Sequence, residues 1–307
     1  MRIGINGSSL VAIGASLNQM VDHAAEAEAA GFTSYWLAQL AVPDALTVIA
    51  TMGTRTSTIE LGTAVIPTWP RHPLMLAAQA LTVQEAIGNR LALGIGLAHK
   101  SSVESTLKIP FATPAKHMDE YLSILLPAMA ERSVAFTGDI WSAEVETVGG
   151  APGAEAPTVL LAAMGPRMLR LAGERTAGSI LWLSGPRAVS QQIKPALDAA
   201  AAAAGRPSPR IVASVPVCVT KKPDEVRAVI AGVLDGYNDL PSYRGVMDAE
   251  GAGGPADVSV VGSDEEVRAG LAAFAEAGAT DFAALEFFTD ADEITATRAL
   301  LQDVANG

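Results

Sequence analysis

The sequence predicts a closed (β/α)8 barrel, the TIM-barrel class, and three observations lead to this prediction. Short apolar runs alternate with longer segments of helical periodicity, and eight such pairs follow one another along the 307 residues. The runs are too continuously apolar for half-exposed strands, which is typical of parallel strands buried on both faces. Glycine, proline and polar residues follow the runs, at the strand ends where parallel α/β folds carry their chemistry. We expect a single domain over residues 1–307.

The elements follow in order. Gly31 is typical of the residue that ends a helix, and Pro43-Asp44 is typical of a helix N-terminus. Ser263 lies three residues before Glu266, which is the spacing of a capping box at the start of a helix. Residues 136–141 suggest a small hairpin, and the Gly-, Pro- and acid-rich residues 238–258 suggest an irregular insertion. The predicted strands are residues 3–5, 34–38, 59–67, 90–96, 158–163, 179–183, 211–219 and 281–287. The predicted helices are residues 16–30, 74–86, 115–131, 187–204, 223–234, 263–277 and 290–304, with two more beginning near residues 43 and 166.

Composition narrows the class of protein. The chain has 21 basic and 33 acidic residues and a formal net charge of −12, which argues against a nucleic-acid partner. Its single cysteine, Cys218, cannot form an internal disulfide framework and suggests a reducing compartment. No signal-peptide pattern opens the sequence, and the apolar runs are shorter than the roughly 20 residues that a membrane helix needs. We therefore expect a soluble, cytoplasmic protein without a membrane partner.

Several strand ends carry candidate site residues, each with a structural alternative. Residues 63–66 form either an ordinary strand end or a backbone wall of small side chains behind a planar ligand. Arg71-His72-Pro73 forms either a solvated helix start or an anion site. His99 follows the fourth strand and is either a surface histidine or a group that moves protons near neutral pH.

Two Gly-Pro pairs follow the fifth and sixth strands, in Met164-Gly165-Pro166 and Ser184-Gly185-Pro186. Each pair is either ordinary helix punctuation or a phosphate site made of free backbone N–H groups. Two such loops in succession favour phosphate binding, although neither has the glycine spacing of a Rossmann fingerprint or a P-loop. The four histidines lack metal-ligand spacing, and the sequence has no Gly-x-Ser-x-Gly elbow of a serine hydrolase.

Several segments together resemble a known family. They are residues 61–65 (LGTAV), 71–74 (RHPL), 78–84 (AQALTVQ), 93–96 (LGIG) and 165–173 (GPRMLRLAG). In this order and spacing they resemble the bacterial luciferase-like superfamily, and within it the actinobacterial oxidoreductases that use the deazaflavin F420. The resemblance covers nearly the whole chain, and its strongest blocks are residues 59–104 and 158–185.

The resemblance implies a flavin or deazaflavin lying across the C-terminal ends of the strands, with a non-proline cis peptide at Ala64-Val65 behind the ring. It also implies cationic residues for the glutamate tail of F420, and the candidates are Arg167, Arg170 and Lys194. The implied cofactor-binding residues are Ala38, Ala64, Val65, Ile66, Leu97, Ala98, Ser102, Met164, Gly165, Pro166, Leu183, Ser184 and Gly185.

One position departs from the family pattern. After the second strand, the sugar-phosphate and alcohol dehydrogenases of this family carry Asp or Ser followed by a catalytic His or Glu, whereas this chain has Ala38-Gln39. A neutral amide cannot be the general base of an alcohol oxidation. The resemblance therefore favours a reductase, in which F420H2 gives hydride to an activated C=C, C=N or C=O bond. In that reaction His99 would protonate the product and Gln39 would orient the substrate.

Two other functions stay open. One is an FMN-dependent monooxygenase of the same superfamily, and the other is a non-catalytic barrel that binds or stores flavin. The expected substrate is a hydrophobic or ring-shaped small molecule that contacts Trp69, Phe287 and Phe288. The resemblance also implies a homodimer that packs through the helices after the second and third strands, whose Ala-rich faces lie near residues 45–52 and 77–83.

Overall fold

The computed structural model describes residues 1–40 and 42–307, and it confirms the closed (β/α)8 barrel. The barrel strands are parallel, and the last one pairs with the first, with Arg2 opposite Asp281. The third barrel position is split into two short strands, and so is the seventh. The strands are β1 (Arg2–Asn6), β2 (Ser34–Leu37), β3 (Glu60–Thr63), β4 (Ile66–Pro67), β5 (Leu91–Gly96), β6 (Val134–Thr137), β7 (Ser142–Val145), β8 (Thr158–Leu161), β9 (Gly178–Ile180), β10 (Arg210–Ala213), β11 (Pro216–Val219), β12 (Val260–Gly262) and β13 (Asp281–Glu286).

Helices surround the barrel and cover its outer face with their apolar sides. Several begin as the sequence predicts, because Ser16 and Ser263 each cap a helix through a capping box. Two π-helical turns, Ser102–Thr106 and Val189–Ile193, and a 3-10 turn, Asp235–Tyr237, accompany them. The helices are α1 (Ser8–Ala12), α2 (Leu17–Ala29), α3 (Ala45–Met52), α4 (Pro73–Ala86), α5 (Pro114–Ala130), α6 (Pro166–Arg175), α7 (Pro186–Ala188), α8 (Lys194–Ala203), α9 (Pro223–Val233), α10 (Pro241–Glu250), α11 (Asp264–Glu276) and α12 (Ala291–Asn306).

Three segments lie beside the barrel. The expected hairpin is present as the antiparallel pair β6–β7. Residues 238–258 are not irregular throughout, because they contain α10, which buries Val246 and Met247. The short strand β12 follows this segment and pairs with β11, an addition that the sequence did not predict. No helix of residues 1–40 and 42–307 is long and apolar enough to cross a membrane.

The two ends of the barrel are lined by different kinds of side chain. At the N-terminal end of the strands, the Arg210 guanidinium bonds the carboxylates of Glu60 at 2.6 Å and Asp281 at 2.6 Å. The same guanidinium lies 5.6 Å from the ring centroid of Trp36, which is buried in the barrel interior. This end is thus filled by ion pairs and an indole, and the candidate site lies at the C-terminal end.

Candidate active site

Residues 63–65, the candidate wall, lie at the junction of β3 and β4 in the third barrel position. The peptide bond Ala64-Val65 is cis, as expected. The Thr63 hydroxyl donates to the Gly94 carbonyl at 2.7 Å, so this segment lies directly against β5. A side chain on Gly94 would place its Cβ 2.0 Å from the Thr63 carbonyl oxygen, and one on Gly96 would meet Val65 at 2.7 Å. The two glycines of β5 therefore permit the close approach of residues 63–65.

His99 lies beside this wall, just after β5. Its imidazole packs edge-on against Tyr237, with ring centroids 5.9 Å apart, and in a tilted arrangement against Tyr243, with ring centroids 5.7 Å apart. Partial burial lowers the pKa of His99, because the low-dielectric surroundings disfavour the charged form. A neutral imidazole still carries one N–H donor. The sequence singled out His99 but not the two tyrosines, which come from the segment around α10.

Leu97 and Ala98, which precede His99, are less exposed to solvent than Ser102, which follows it in the π-helical turn. Leu97 and Ala98 are half-buried, and Ala98 adopts a left-handed backbone conformation with φ of 59°. Ser102 lies exposed in the π-helical turn after β5, where Lys100 and Glu104 form an exposed ion pair. Leu97 and Ala98 therefore lie closer to the barrel interior than Ser102 does.

Gln39 follows β2, and its side chain stabilises the local structure there. Its side-chain carbonyl accepts the Ala45 N–H at 2.8 Å and so holds the start of α3. The Ala38 N–H donates to the Ser8 hydroxyl at 2.9 Å, and that hydroxyl bonds Asn6. Asn6 is buried at the end of β1, and its position as a polar residue closing an apolar strand was the signal by which the sequence could have revealed it.

The two predicted phosphate loops are neighbours. The Ser184 hydroxyl lies 3.6 Å from the Met164 sulfur, which joins the loop after β8 to the loop after β9. Gly165 precedes α6, and among the described residues no side chain caps that helix. A Cβ on Gly165 would meet open space, and the first-turn N–H groups of α6 lie at the positive end of the helix. This arrangement fits a phosphate group.

The loop after β9 is occupied differently. Leu183 has a left-handed φ of 55°, and Leu183, Ser184 and Gly185 are all buried. The Glu250 carboxylate accepts the Ala188 N–H at 2.8 Å, and a Cβ on Gly185 would lie 2.3 Å from the carboxyl carbon of Glu250. A carboxylate of this chain therefore covers the second loop, whereas the first loop is open.

The expected substrate-contacting aromatic residues lie in three different settings. Trp69 is buried, and its ring stacks on His117 with centroids 3.7 Å apart. The Trp69 indole N–H has no hydrogen-bond partner among residues 1–40 and 42–307. Phe287 packs on the cluster around Cys218, and Phe288 is 45% exposed. Trp69 is thus a packed residue, and Phe288 is the most accessible of the three.

The three cationic residues expected to bind the glutamate tail of F420 differ in whether they form an ion pair with an acidic side chain. Arg170 lies 3.7 Å from Glu174, and Lys194 lies 2.5 Å from Asp198. Arg167 is exposed in the first turn of α6 and forms no ion pair with any acid of the described chain. Because it stands next to the open loop at Gly165, Arg167 is the best placed of the three to meet an anion. No group of metal ligands is found among the described residues.

These observations define a class: a (β/α)8 barrel whose strand C-termini carry a small-residue wall, a half-buried histidine and an open helix N-terminus. Residues 3–281 match the family model described as luciferase-like monooxygenase. The chain belongs to the luciferase-like monooxygenase family.

The similar proteins include F420-dependent enzymes and, among the solved structures, one complex with FMN. A putative coenzyme F420-dependent oxidoreductase of Mycobacterium tuberculosis is 31% identical over 252 residues, 76% of this chain and 70% of the relative. The F420-dependent tetrahydromethanopterin reductase of Methanopyrus kandleri superposes with a TM-score of 0.80 at 18% identity, over 99% of this chain and 97% of that one. The oxygenating constituent of 3,6-diketocamphane monooxygenase from Pseudomonas putida, in complex with FMN, superposes with a TM-score of 0.77 at 19% identity. The superposition covers 98% of this chain and 96% of that one.

Proposed function

We propose that this protein is an F420-dependent reductase of a small organic substrate. F420H2 supplies a hydride when bound, and the acceptor would be an activated C=C, C=N or C=O bond. The observation that carries the proposal is the open N-terminus of α6 at Gly165, which lies at the same end of the barrel strands as the candidate wall at Ala64-Val65. F420-dependent oxidoreductases among the relatives support the choice of cofactor.

The roles of the residues follow from their positions. Ala64, Val65 and Ile66 would form the surface on which the deazaflavin ring lies, with Leu97 and Ala98 at its side. The first-turn amides of α6 would hold the phosphate, since unpaired N–H groups at a helix N-terminus favour anions. These contacts would hold the ring at the C-terminal end of the barrel strands.

His99 would move the proton in this reaction. Hydride addition to a polarised double bond leaves negative charge on the neighbouring atom, and a positioned N–H can protonate that atom. The lowered pKa makes the imidazolium form of His99 a stronger acid, so a protonated imidazole would give this proton and return to the neutral form. Gln39 would orient the substrate, and its carbonyl is already anchored on Ala45. The position after β2 holds no carboxylate or imidazole, which favours reduction over alcohol oxidation.

An FMN-dependent monooxygenase is the second candidate, because an FMN-bound structure superposes over nearly the whole chain. Titration of the apoprotein with F420 and FMN, followed by cofactor fluorescence, separates the two. We expect F420 to bind with micromolar or tighter affinity and FMN to bind more weakly. A preference for FMN would move the assignment to a monooxygenase or a flavin store, and oxygen uptake would decide between these. Binding of neither cofactor would overturn both candidates.

A Gly165→Asp variant tests the phosphate site itself. The open space around Gly165 accommodates the new side chain, and Asp is a favoured N-cap, so the fold should be kept. The added carboxylate would occupy the helix N-terminus and should weaken F420 binding at least about tenfold. Gly165→Ala is the matched control, because it adds a Cβ without charge. Equal affinities of the two variants would contradict phosphate binding at this loop.

A homodimer is part of the proposal. The partner would pack on α3 and α4, where Met75 is 61% exposed. Light scattering after size exclusion measures the assembly, and a charge at this position, Met75→Glu, should produce monomers. A monomeric wild-type protein would overturn this part.

A further inference from the structure

Glu250 covers the second Gly-Pro loop, the one after β9. It is the last residue of α10, yet its carboxylate reaches the N–H of Ala188 in α7, a contact between residues 62 positions apart. Its packing against Gly185 is so close that a Cβ at that glycine would overlap the Glu250 carboxyl group. The cofactor pocket would therefore carry one fixed negative charge of the protein's own.

The position of Glu250 is set by packing on both sides. Met247, one turn earlier in α10, is fully buried in a cluster with Leu183 and Val258. The Ala188 N–H donates to the carboxylate at 2.8 Å and so holds it against this loop. No cation of the described residues lies within 4.0 Å of this carboxylate, so its charge is not neutralised by an ion pair.

The two candidate cofactors differ in charge at this point. FMN ends in a phosphomonoester, which carries about −1.5 to −2 charges at pH 7, like other phosphomonoesters. The phosphate of F420 is a diester that links the ribityl chain to its acidic tail, and a diester carries a single charge. A carboxylate beside the phosphate repels the monoester more strongly, because Coulomb repulsion scales with the product of the charges.

We propose that Glu250 determines cofactor specificity by disfavouring a phosphomonoester relative to a phosphodiester at the loop formed by Leu183, Ser184 and Gly185. The proposal rests on the proposed function, since it places the cofactor phosphate between this loop and Gly165. Glu250 acts through charge and through the Ala188 N–H that it withholds from the ligand.

The test is the variant Glu250→Gln, titrated with F420, FMN and riboflavin. Gln keeps the length of the side chain and an oxygen that can accept the Ala188 N–H, so α10 should remain in place. We expect the FMN affinity to rise about tenfold and the F420 affinity to rise less than about threefold. Riboflavin has no phosphate, so its affinity should not change. Asp239→Asn, which removes an exposed charge from the same segment, should leave all three affinities as in the wild type.

Each other outcome counts against the proposal. An unchanged ratio of FMN to F420 affinity in Glu250→Gln, with F420 still bound, overturns the specificity role and leaves the proposed function standing. An equal gain for riboflavin shows that the variant opens the pocket sterically, and this also overturns the role of charge. Failure of wild type and variant to bind either cofactor overturns the proposed function together with this inference.

Discussion

The indole Nε1 of Trp141 lies 3.1 Å from Nδ1 of His117, and this contact defines the tautomer of a fully buried histidine. An indole N–H can only donate, so Nδ1 accepts and the imidazole proton lies on Nε2, 2.9 Å from the Thr68 hydroxyl. Burial lowers the pKa of His117 to about 4, and the nearby Glu120 carboxylate offsets only part of that effect. The neutral ring thus joins the β6–β7 hairpin to the end of β4.

Stability should fall as the pH is lowered from 6.5 towards about 4. In this window the unfolded chain binds a proton on His117 and the folded chain does not, so acid favours unfolding. The full loss is of the order of 3 kcal/mol, from a pKa shift worth about 1.4 kcal/mol per unit. Urea midpoints at pH 7 and pH 4.5 measure it. His117→Gln should flatten this dependence, His72→Gln should keep it, and equal slopes for both variants would refute the assignment.

Replacing Arg210 by Met should destabilise the barrel by about 3–5 kcal/mol, because Asp281 would keep a buried carboxylate without its partner. Arg268→Met is the matched control, since Arg268 pairs with Asp264 at the surface and should cost less than about 1 kcal/mol. Denaturant unfolding followed by circular dichroism measures both. If Arg210→Met lowers the free energy of unfolding no more than Arg268→Met does, the ion pairs of Arg210 contribute little to stability.

Gly94→Ala should destabilise the protein by about 1–3 kcal/mol, because the new Cβ would overlap the Thr63 carbonyl and must push residues 63–65 away from β5. Gly232→Ala, in the last turn of α9 where a Cβ meets open space, should not destabilise the protein and should stabilise it by at most about 0.5–1 kcal/mol. Thermal unfolding compares the two. F420 affinity should fall only in Gly94→Ala, and an unaffected affinity there would argue against residues 64–65 as the ring surface.

His99→Ala should lower the turnover number by about 100-fold while the dissociation constant of F420 changes less than about threefold. The reason is that His99 would act on the product after hydride transfer and would hold little of the cofactor. Lys100→Ala, which removes the exposed neighbour, should leave both quantities unchanged. An equal loss of binding and turnover in His99→Ala would make His99 a binding residue. Turnover is to be measured with a panel of unsaturated ketones, imines and quinones.

The barrel was predictable because each strand position is a continuous apolar run, and buried parallel strands need only that pattern. The cis peptide at Ala64-Val65 was predictable only from the family resemblance, whereas the Gly-Pro pairs mark the starts of α6 and α7 directly in the sequence. The helix α10 was missed because Gly245 and the glycines after Glu250 suggest a loop, whereas burial of Met247 holds the helix in place. The tertiary position of Glu250 and the stacking of Trp69 on His117 leave no local signal in the sequence, because each contact joins residues that are far apart in the chain.

The ion pairs of Arg210 and the loops at Gly165 and Gly185 lie at opposite ends of the same strands. Changes at such separated positions usually add independently in free energy. Substitutions in the mouth can therefore accumulate without weakening the cluster that closes the other end. This separation makes the chain evolvable: descendants can exchange one substrate for another by altering loops, while the same barrel continues to fold.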